Sequence, residues 1–216
     1  MNVSRTDCES SIQSDEFEWD ATGCTEVHKY VMPTIEKWIC NSDIETVLDL
    51  GCGNGALTNA ISMLGKNCVG IDMSSSGVAI AAKQYPESRF EVSSMDKSLE
   101  SDFRNIFDAV ICVEVVEHLL LPRMLFERAR EALRPGGELI VTTPYHGYLK
   151  NLMIALAGGF DSHWHPLRDY GHVKFFSKAT LGRLFEEQGF VVNEITLVGR
   201  IPALARSMMF RGKLLG

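Results

Sequence analysis

The chain has 216 residues, 45% of them hydrophobic and 23% charged, with a formal net charge of −7. That length suits one domain with its own core, and the balance is that of a globular protein and not of a disordered or fibrous chain. The acidic total argues against a broad electrostatic footprint on nucleic acid, leaving only a local basic patch open.

The six cysteines, at 8, 24, 40, 52, 68 and 112, form no CxxC pair. This reads as reduced, cytoplasmic usage and not as a disulfide or zinc scaffold. The polar, acidic start shows no secretory signal. The longest apolar run, residues 149–160, is interrupted by Lys150, Asn151 and two glycines, so no membrane span is expected.

Residues 1–20 lack periodicity and read as a mobile arm before a single domain over 21–216. Apolar residues then recur at helical spacing over 26–40, where Pro33 marks a kink or a break. From there strands and helices alternate. Strands are expected at 46–50, 67–71, 89–92, 107–113, 138–143 and 190–198. Helices are expected at 56–64, 74–84, 122–133 and 178–188, with Ser177 as a cap and Gly189 as a stop. The tail supplies a seventh strand or a helix. This alternation predicts an α/β fold, a doubly wound, mostly parallel sheet with helices on both faces. Ligand chemistry is expected at the carboxyl ends of its strands. Residues 144–176 are too long for a plain connection and read as a lid insertion.

The sharpest motif is Val47-Leu48-Asp49-Leu50-Gly51-Cys52-Gly53-Asn54-Gly55, a strand running into a glycine turn and then a helix. Glycines let backbone amides approach a ligand closely. Asp72 ends the next strand, where a carboxylate can grip both ribose hydroxyls of a nucleoside. Gly51, Gly53 and Ala56 also satisfy a dinucleotide fingerprint, so a dehydrogenase stays open on this motif alone. Asp49 before the glycines, Asp96 after the third strand and Glu114 ending the fourth favour S-adenosylmethionine over a nicotinamide cofactor.

As an ordered set, residues 47–55, Val69-Gly70-Ile71-Asp72, residues 107–119 and residues 133–144 closely resemble the successive motifs of class I S-adenosylmethionine-dependent methyltransferases. The resemblance covers about 45–198 and is greatest to the ubiquinone-pathway O-methyltransferases of polyprenylated catechols. It implies a seven-stranded, Rossmann-like sheet of order 3-2-1-4-5-7-6 with the last strand antiparallel. It also implies that Gly51, Gly53 and Asp72 hold the cofactor and that Asp96 lies near adenine. The full cofactor-binding set expected is Asp49, Gly51, Cys52, Gly53, Asp72, Met73, Met95, Asp96 and Val113.

Glu114, Glu117 and His118 are spaced to share one face if the chain turns helical at Glu114, and His172 in the lid could fold over them. Two carboxylates and two imidazoles can bind magnesium, manganese or another divalent metal. A cation held there would lower the pKa of a phenol, ordinarily ~10, and orient its oxygen. Without one, His118 or His172 becomes the general base. Glu114, His118 and His172 are thus the catalytic candidates. Each also has a plainer reading: Glu117 as a helix-terminus charge, His118 as a packed imidazole, Glu114 as a cofactor contact.

The lid adds His146, His163, Trp164, His165, Arg168 and Tyr170, which suit a pocket for a ring-bearing small-molecule acceptor or a surface loop pinned by Trp164. Residues 148–160 are apolar enough to meet lipid, although an ordinary packed helix is the simpler expectation, and the basic-apolar tail could touch anionic lipid. O-methylation of a catechol-like acceptor is the leading reading. RNA 2′-O-methylation, N- or C-methylation and a non-catalytic binding module remain as alternatives, and oligomeric state is not encoded visibly.

Overall fold

The computed structural model describes residues 23–40, 42–164 and 167–215. The expected arm at 1–20 and His165 lie outside the described residues.

The first helix, α1 (Glu26–Cys40), buries Val31, Ile35, Trp38 and Ile39 and runs unbroken through Pro33. A proline inside a helix costs ~3 kcal/mol, so the buried stripe on either side of it must outweigh the missing bond. Strands β1 (Thr46–Leu50), β2 (Asn67–Asp72), β3 (Arg89–Val92) and β4 (Phe107–Val113) follow, interleaved with α2 (Ala56–Met63) and α3 (Ser75–Gln84). Beyond them come α4 (Arg123–Ala132), β5 (Leu133–Pro144), α5 (Tyr148–Leu156), α6 (Phe160–Trp164), α7 (Lys178–Glu187), β6 (Phe190–Val198) and β7 (Ser207–Leu214). The seven strands form one sheet of order β3-β2-β1-β4-β5-β7-β6. All pairs from β3 across to β5 are parallel, while β7 runs antiparallel to β5 and β6.

Both faces of the sheet are covered, which is why its central strands read as continuous apolar runs. In β4 the side chains alternate. Val110 and Cys112 join one core with Phe126 of α4 and Phe185 of α7, whereas Ala109 and Ile111 join the other with Trp38 of α1 and Ile61 of α2. Ser177 caps α7 in a reciprocal capping box with Thr180. The tail forms β7, inserted between β5 and β6. β5 is longer than the expected 138–143. Leu133 already pairs with Phe107, and a register shift across residues 134–137 of the same strand separates that contact from the Glu138 register.

The insertion after β5 contains α5 and α6. The simple packed helix expected at 148–160 is not what forms, because no residue of α5 is buried. Among the described residues no helix is long and apolar enough to cross a membrane.

Candidate active site

The glycine turn after β1 is anchored from below. The amides of Gly51 and Cys52 donate to Ile71 O, at 2.7 and 3.1 Å. Gly51 has φ 90° and Gly55 φ 76°, values that side-chain-bearing residues rarely adopt. A Cβ on Gly51 would stand 2.5 Å from Val115 Cγ2, so the turn is pressed against the segment after β4.

Asp72 closes this turn. One carboxylate oxygen accepts the Gly53 amide and the other the Ser74 amide, each at 2.8 Å. The strand end thereby holds the glycine turn and the start of α3 together. Asp49 lies underneath, 1% exposed, with Oδ2 accepting the Thr58 hydroxyl at 2.7 Å. Its Oδ1 is buried without a hydrogen-bond partner. Burial pushes the Asp49 carboxyl up to about 7, with the Thr58 bond pulling the other way. Cys52 is buried beside the turn. Met73 is exposed, Met95 packs against the core edge, and Val113 is half-buried at the end of β4. Asp96 is exposed in the loop after β3, its carboxyl held below the ordinary range by Ser94. Thus Asp49, Gly51, Cys52, Gly53 and Asp72 gather at one strand-end crevice, with Met73, Met95 and Asp96 on the flank supplied by β2 and β3.

The expected helical turn starting at Glu114 does not form. Glu114 has φ 55°, in the left-handed region, and the short 3-10 helix covers only Val116–His118. The positive φ breaks the spacing argument, so Glu114 and Glu117 take separate partners. The Thr142 hydroxyl donates to Glu114 Oε1 at 2.9 Å, and Ser207 also bonds this carboxylate. The Tyr30 and Ser207 hydroxyls lie 3.3 Å apart, which links α1 to the same group. Burial raises the Glu114 carboxyl to about 7.

Glu117 is 1% exposed. Its Oε2 accepts the Thr143 hydroxyl at 2.9 Å, while Oε1 is buried with no hydrogen-bond partner. His172 Nε2 stands 3.9 Å from Oε1. Burial, with the Glu114 charge second, holds the Glu117 carboxyl well above the ordinary range. The amides of Val173 and Lys174 both donate to Glu117 O at 2.9 Å, which is how the segment before α7 brings His172 to this spot. The His118 and His172 rings meet edge to face at 4.8 Å. Burial lowers the His118 value, and burial with neighbouring His118 pushes His172 down to about 4. Both imidazoles are therefore neutral at pH 7 and able to act as ligands.

Glu117, His118 and His172 each offer a ligand atom, all within 4.8 Å of one another. Glu114, expected as a fourth ligand, lies outside this group because Thr142 and Ser207 engage it. His118 Nδ1 is 2.8 Å from Tyr170 O. A carbonyl only accepts, so Nδ1 carries the proton and Nε2 keeps its lone pair.

A cavity of about 720 Å³ opens in the insertion between β5 and α7, lined by His146, Asn151, Phe160, Asp161, Trp164 and Phe175 among others. That volume and its aromatic walls suit a small-molecule ligand. His163 stacks edge-on against His146 and Trp164. Thr142, Thr143, Ser207, Tyr30, Asn151 and Phe175 were not singled out from the sequence. The threonines carried a visible signal as polar residues closing an apolar strand, but Tyr30 and Ser207 carried none, being 177 positions apart.

Residues 25–195 match the family model described as a methyltransferase domain. The chain is 26% identical over 191 residues to a ubiquinone biosynthesis O-methyltransferase of Aeromonas salmonicida, covering 85% of this chain and 80% of that protein. It is 30% identical over 158 residues to the protein of that name from Bradyrhizobium diazoefficiens, covering 72% of this chain and 62% of the other. Across four such relatives the chain spans 57% to 80% of their length. Among solved structures, magnesium protoporphyrin IX methyltransferase from Synechocystis with bound S-adenosylhomocysteine superposes with a TM-score of 0.66 at 16% identity, covering 85% of this chain and 82% of that one. An S-adenosylmethionine-dependent methyltransferase from Mesorhizobium loti gives 0.64 at 16% identity, over 85% and 97% of the two chains. At such identities the superpositions establish the shared fold.

Proposed function

Because this chain belongs to the methyltransferase-domain family and is an S-adenosylmethionine-dependent methyltransferase, we propose that it methylates a hydroxyl oxygen of a small, catechol-like acceptor, aided by a divalent cation. The carrying observation is Glu117 Oε1, buried without a hydrogen-bond partner and facing His172 Nε2 at 3.9 Å. A buried carboxylate oxygen left unmatched is costly, and a cation held with His118 and His172 would satisfy it. One carboxylate with two imidazoles favours manganese, iron, cobalt or zinc over magnesium, which prefers oxygen ligands.

When bound, S-adenosylmethionine supplies a methyl group already activated by its sulfonium. Gly51 and Gly53 would admit its aminoacyl end, Asp72 would receive the ribose hydroxyls, and Asp96 would flank adenine. The protein's remaining task is to align the acceptor oxygen and ease its proton away. A cation at Glu117, His118 and His172 would lower the hydroxyl pKa. Glu114, raised to about 7 and bonded to Thr142, would exchange a proton near neutrality. The lid cavity, walled by Phe160, Trp164 and Phe175, would take the acceptor's ring. Its small polar fringe and the relatives' printed names support this assignment. Free thiols at all five described cysteines support a reducing, cytoplasmic setting.

The test uses the full chain, S-adenosylmethionine and 3,4-dihydroxybenzamide, before and after metal stripping. Expected are O-methylated product, loss of turnover with chelator, recovery with manganese better than with magnesium, and a manganese signal in paramagnetic resonance that Glu117→Gln removes. Chelator-insensitive turnover would overturn the metal, and methylation at nitrogen or carbon only would overturn the acceptor.

A further inference from the structure

Among the described residues, few buried side-chain polar atoms lack a hydrogen-bond partner. Three of them, His146 Nδ1, Asn151 Oδ1 and Trp164 Nε1, belong to residues that line one cavity. Two more, Asp49 Oδ1 and Glu117 Oε1, lie at the glycine turn and at the cluster with His118 and His172. Only Trp38 Nε1 and Arg128 Nε fall elsewhere. A native fold rarely leaves such atoms unmatched, because each has given up water for nothing in return. Their gathering on one cavity marks a place where a polar group is received.

Each atom comes from a different element. Thr142 and Thr143 of β5 hold the Glu114 and Glu117 carboxylates, and the chain reaches His146 three residues later. By chain length alone His146 lies at most about 11 Å from Thr143. Asn151 and Ala155, one turn apart, share the face of α5 that lines the cavity, while Tyr148, Leu152 and Leu156 are exposed. Trp164 ends α6, its ring 4.0 Å from Phe160 and edge-on to Phe175 at 5.9 Å. His146 meets Phe175 edge-on at 5.1 Å. Ring packing therefore holds Trp164 and His146 in place before a ligand arrives.

The three atoms ask for particular partners. An indole Nε1 only donates, and an amide Oδ1 only accepts. Burial, with the Lys150 charge second, pushes His146 down to about 4, so its ring is neutral at pH 7. Asn151 pulls the His146 value the other way, yet Nδ1 and Oδ1 complete no hydrogen bond within this pair. Lys150 Nζ is itself engaged, by Tyr145 O at 2.7 Å and Ala205 O at 3.5 Å. Among the described residues of the wall, Asp161 supplies the formal charge. An alkyl group entering here would leave all three atoms unmatched. A carboxylate would meet the Asp161 charge and would have nothing to donate to Asn151 Oδ1. A hydroxyl or a primary carboxamide both donates and accepts.

We propose that this cavity selects an acceptor ring bearing a neutral group that both donates and accepts hydrogen bonds, a primary carboxamide or a hydroxyl, held by Trp164 Nε1 and Asn151 Oδ1 beside His146. The inference rests on the acceptor reading of the same cavity and deepens it. Selectivity then lies in a substituent remote from the methylated oxygen, and in hydrogen bonding more than in apolar fit. A site built to hydrogen-bond its ligand rejects the analogue that lacks the group far more strongly than an apolar pocket rejects a misfit.

Calorimetric titration of the full chain, saturated with S-adenosylhomocysteine, tests it with three catechols that differ at one substituent. These are 3,4-dihydroxybenzamide, 3,4-dihydroxytoluene and 3,4-dihydroxybenzoate. The benzamide should bind about tenfold more tightly than the toluene and about fivefold more tightly than the benzoate. Trp164→Phe keeps an aromatic ring and removes the donor, and Asn151→Leu keeps the bulk and removes the acceptor. Each should lower the preference for benzamide over toluene by roughly fivefold to tenfold. That ratio is the decisive reading, since a merely loosened cavity weakens both ligands alike. Retained S-adenosylhomocysteine binding verifies folding. Equal binding of benzamide and toluene, tighter binding of benzoate, binding of none of the three, or an unchanged ratio in both variants would overturn the proposal. Selective binding without methyl transfer would support it and count against the proposed activity. Methyl transfer with equal affinity for benzamide and toluene would keep the activity and overturn the selectivity.

Discussion

Replacing Gly51 by alanine puts two separate costs on the glycine turn proposed to hold the cofactor. Gly51 holds φ 90°, and an L-residue in the left-handed region costs about 1–2 kcal/mol. The new Cβ would also lie 2.5 Å from Val115 Cγ2. Val115 is β-branched and follows the left-handed Glu114, so it has little room to yield, and overpacking of this kind costs about 1–3 kcal/mol. Together they sum to roughly 2–5 kcal/mol. The protein can meet that cost by unfolding more readily or by shifting the turn away from Asp72. The first lowers the denaturant midpoint, and the second lowers cofactor affinity, tenfold for about each 1.4 kcal/mol. Urea unfolding and calorimetric titration with S-adenosylhomocysteine read both. Gly51→Ala/Val115→Ala, compared with Val115→Ala alone, should recover the packing part and leave the φ part. A Gly51→Ala protein with native stability and native affinity would refute this account of the turn.

Stability should carry the signature of Asp49. Its folded value of about 7 lies above the ordinary 3.8, so the folded state binds the proton more tightly. Its contribution is fully present below pH 3.8 and is lost as pH rises to about 7. Asp49→Asn should therefore stabilise the ligand-free protein at pH 8 by several kcal/mol relative to pH 4, and parallel pH profiles for the two proteins would reject the burial argument. Ser177→Ala removes the α7 capping box and should cost about 1 kcal/mol in urea unfolding, with cofactor affinity unchanged; no change in midpoint would mean the cap is redundant. Manganese affinity should fall on acidification as the Glu117 carboxyl, held above its ordinary range by burial, takes up a proton, because a ligand carboxylate must be ionised. The same affinity in the native protein and in Glu117→Gln would exclude Glu117 as a ligand.

The sheet was legible because its information is local. Apolar runs, glycine stops and the β1–Gly51–α2 succession announce themselves within a few residues, and resemblance supplied the strand order. The crevice around Asp49, Gly51 and Asp72 was legible for the same reason. Glu114 was misread because its left-handed backbone is imposed from elsewhere, by Thr142 on β5 and the packed Gly51 turn; spacing assumes a regular helix and cannot register it. His118 and His172 meet in the structure, but the cause, the Val173 and Lys174 amides on the Glu117 carbonyl, leaves no trace in side-chain identity. The orientation of α5 was hidden for a related reason. Periodicity shows that a stripe exists and not which way it turns.

The account rests most heavily on the carboxylate at the end of β2. Titrating S-adenosylhomocysteine into the native chain and into Asp72→Ala measures it directly. The native chain should bind one equivalent, and the variant should bind on the order of 100-fold more weakly through loss of the proposed ribose contact and of the Gly53 and Ser74 amide bonds. Equal affinity in the two proteins, or no binding to the native chain, would contradict it.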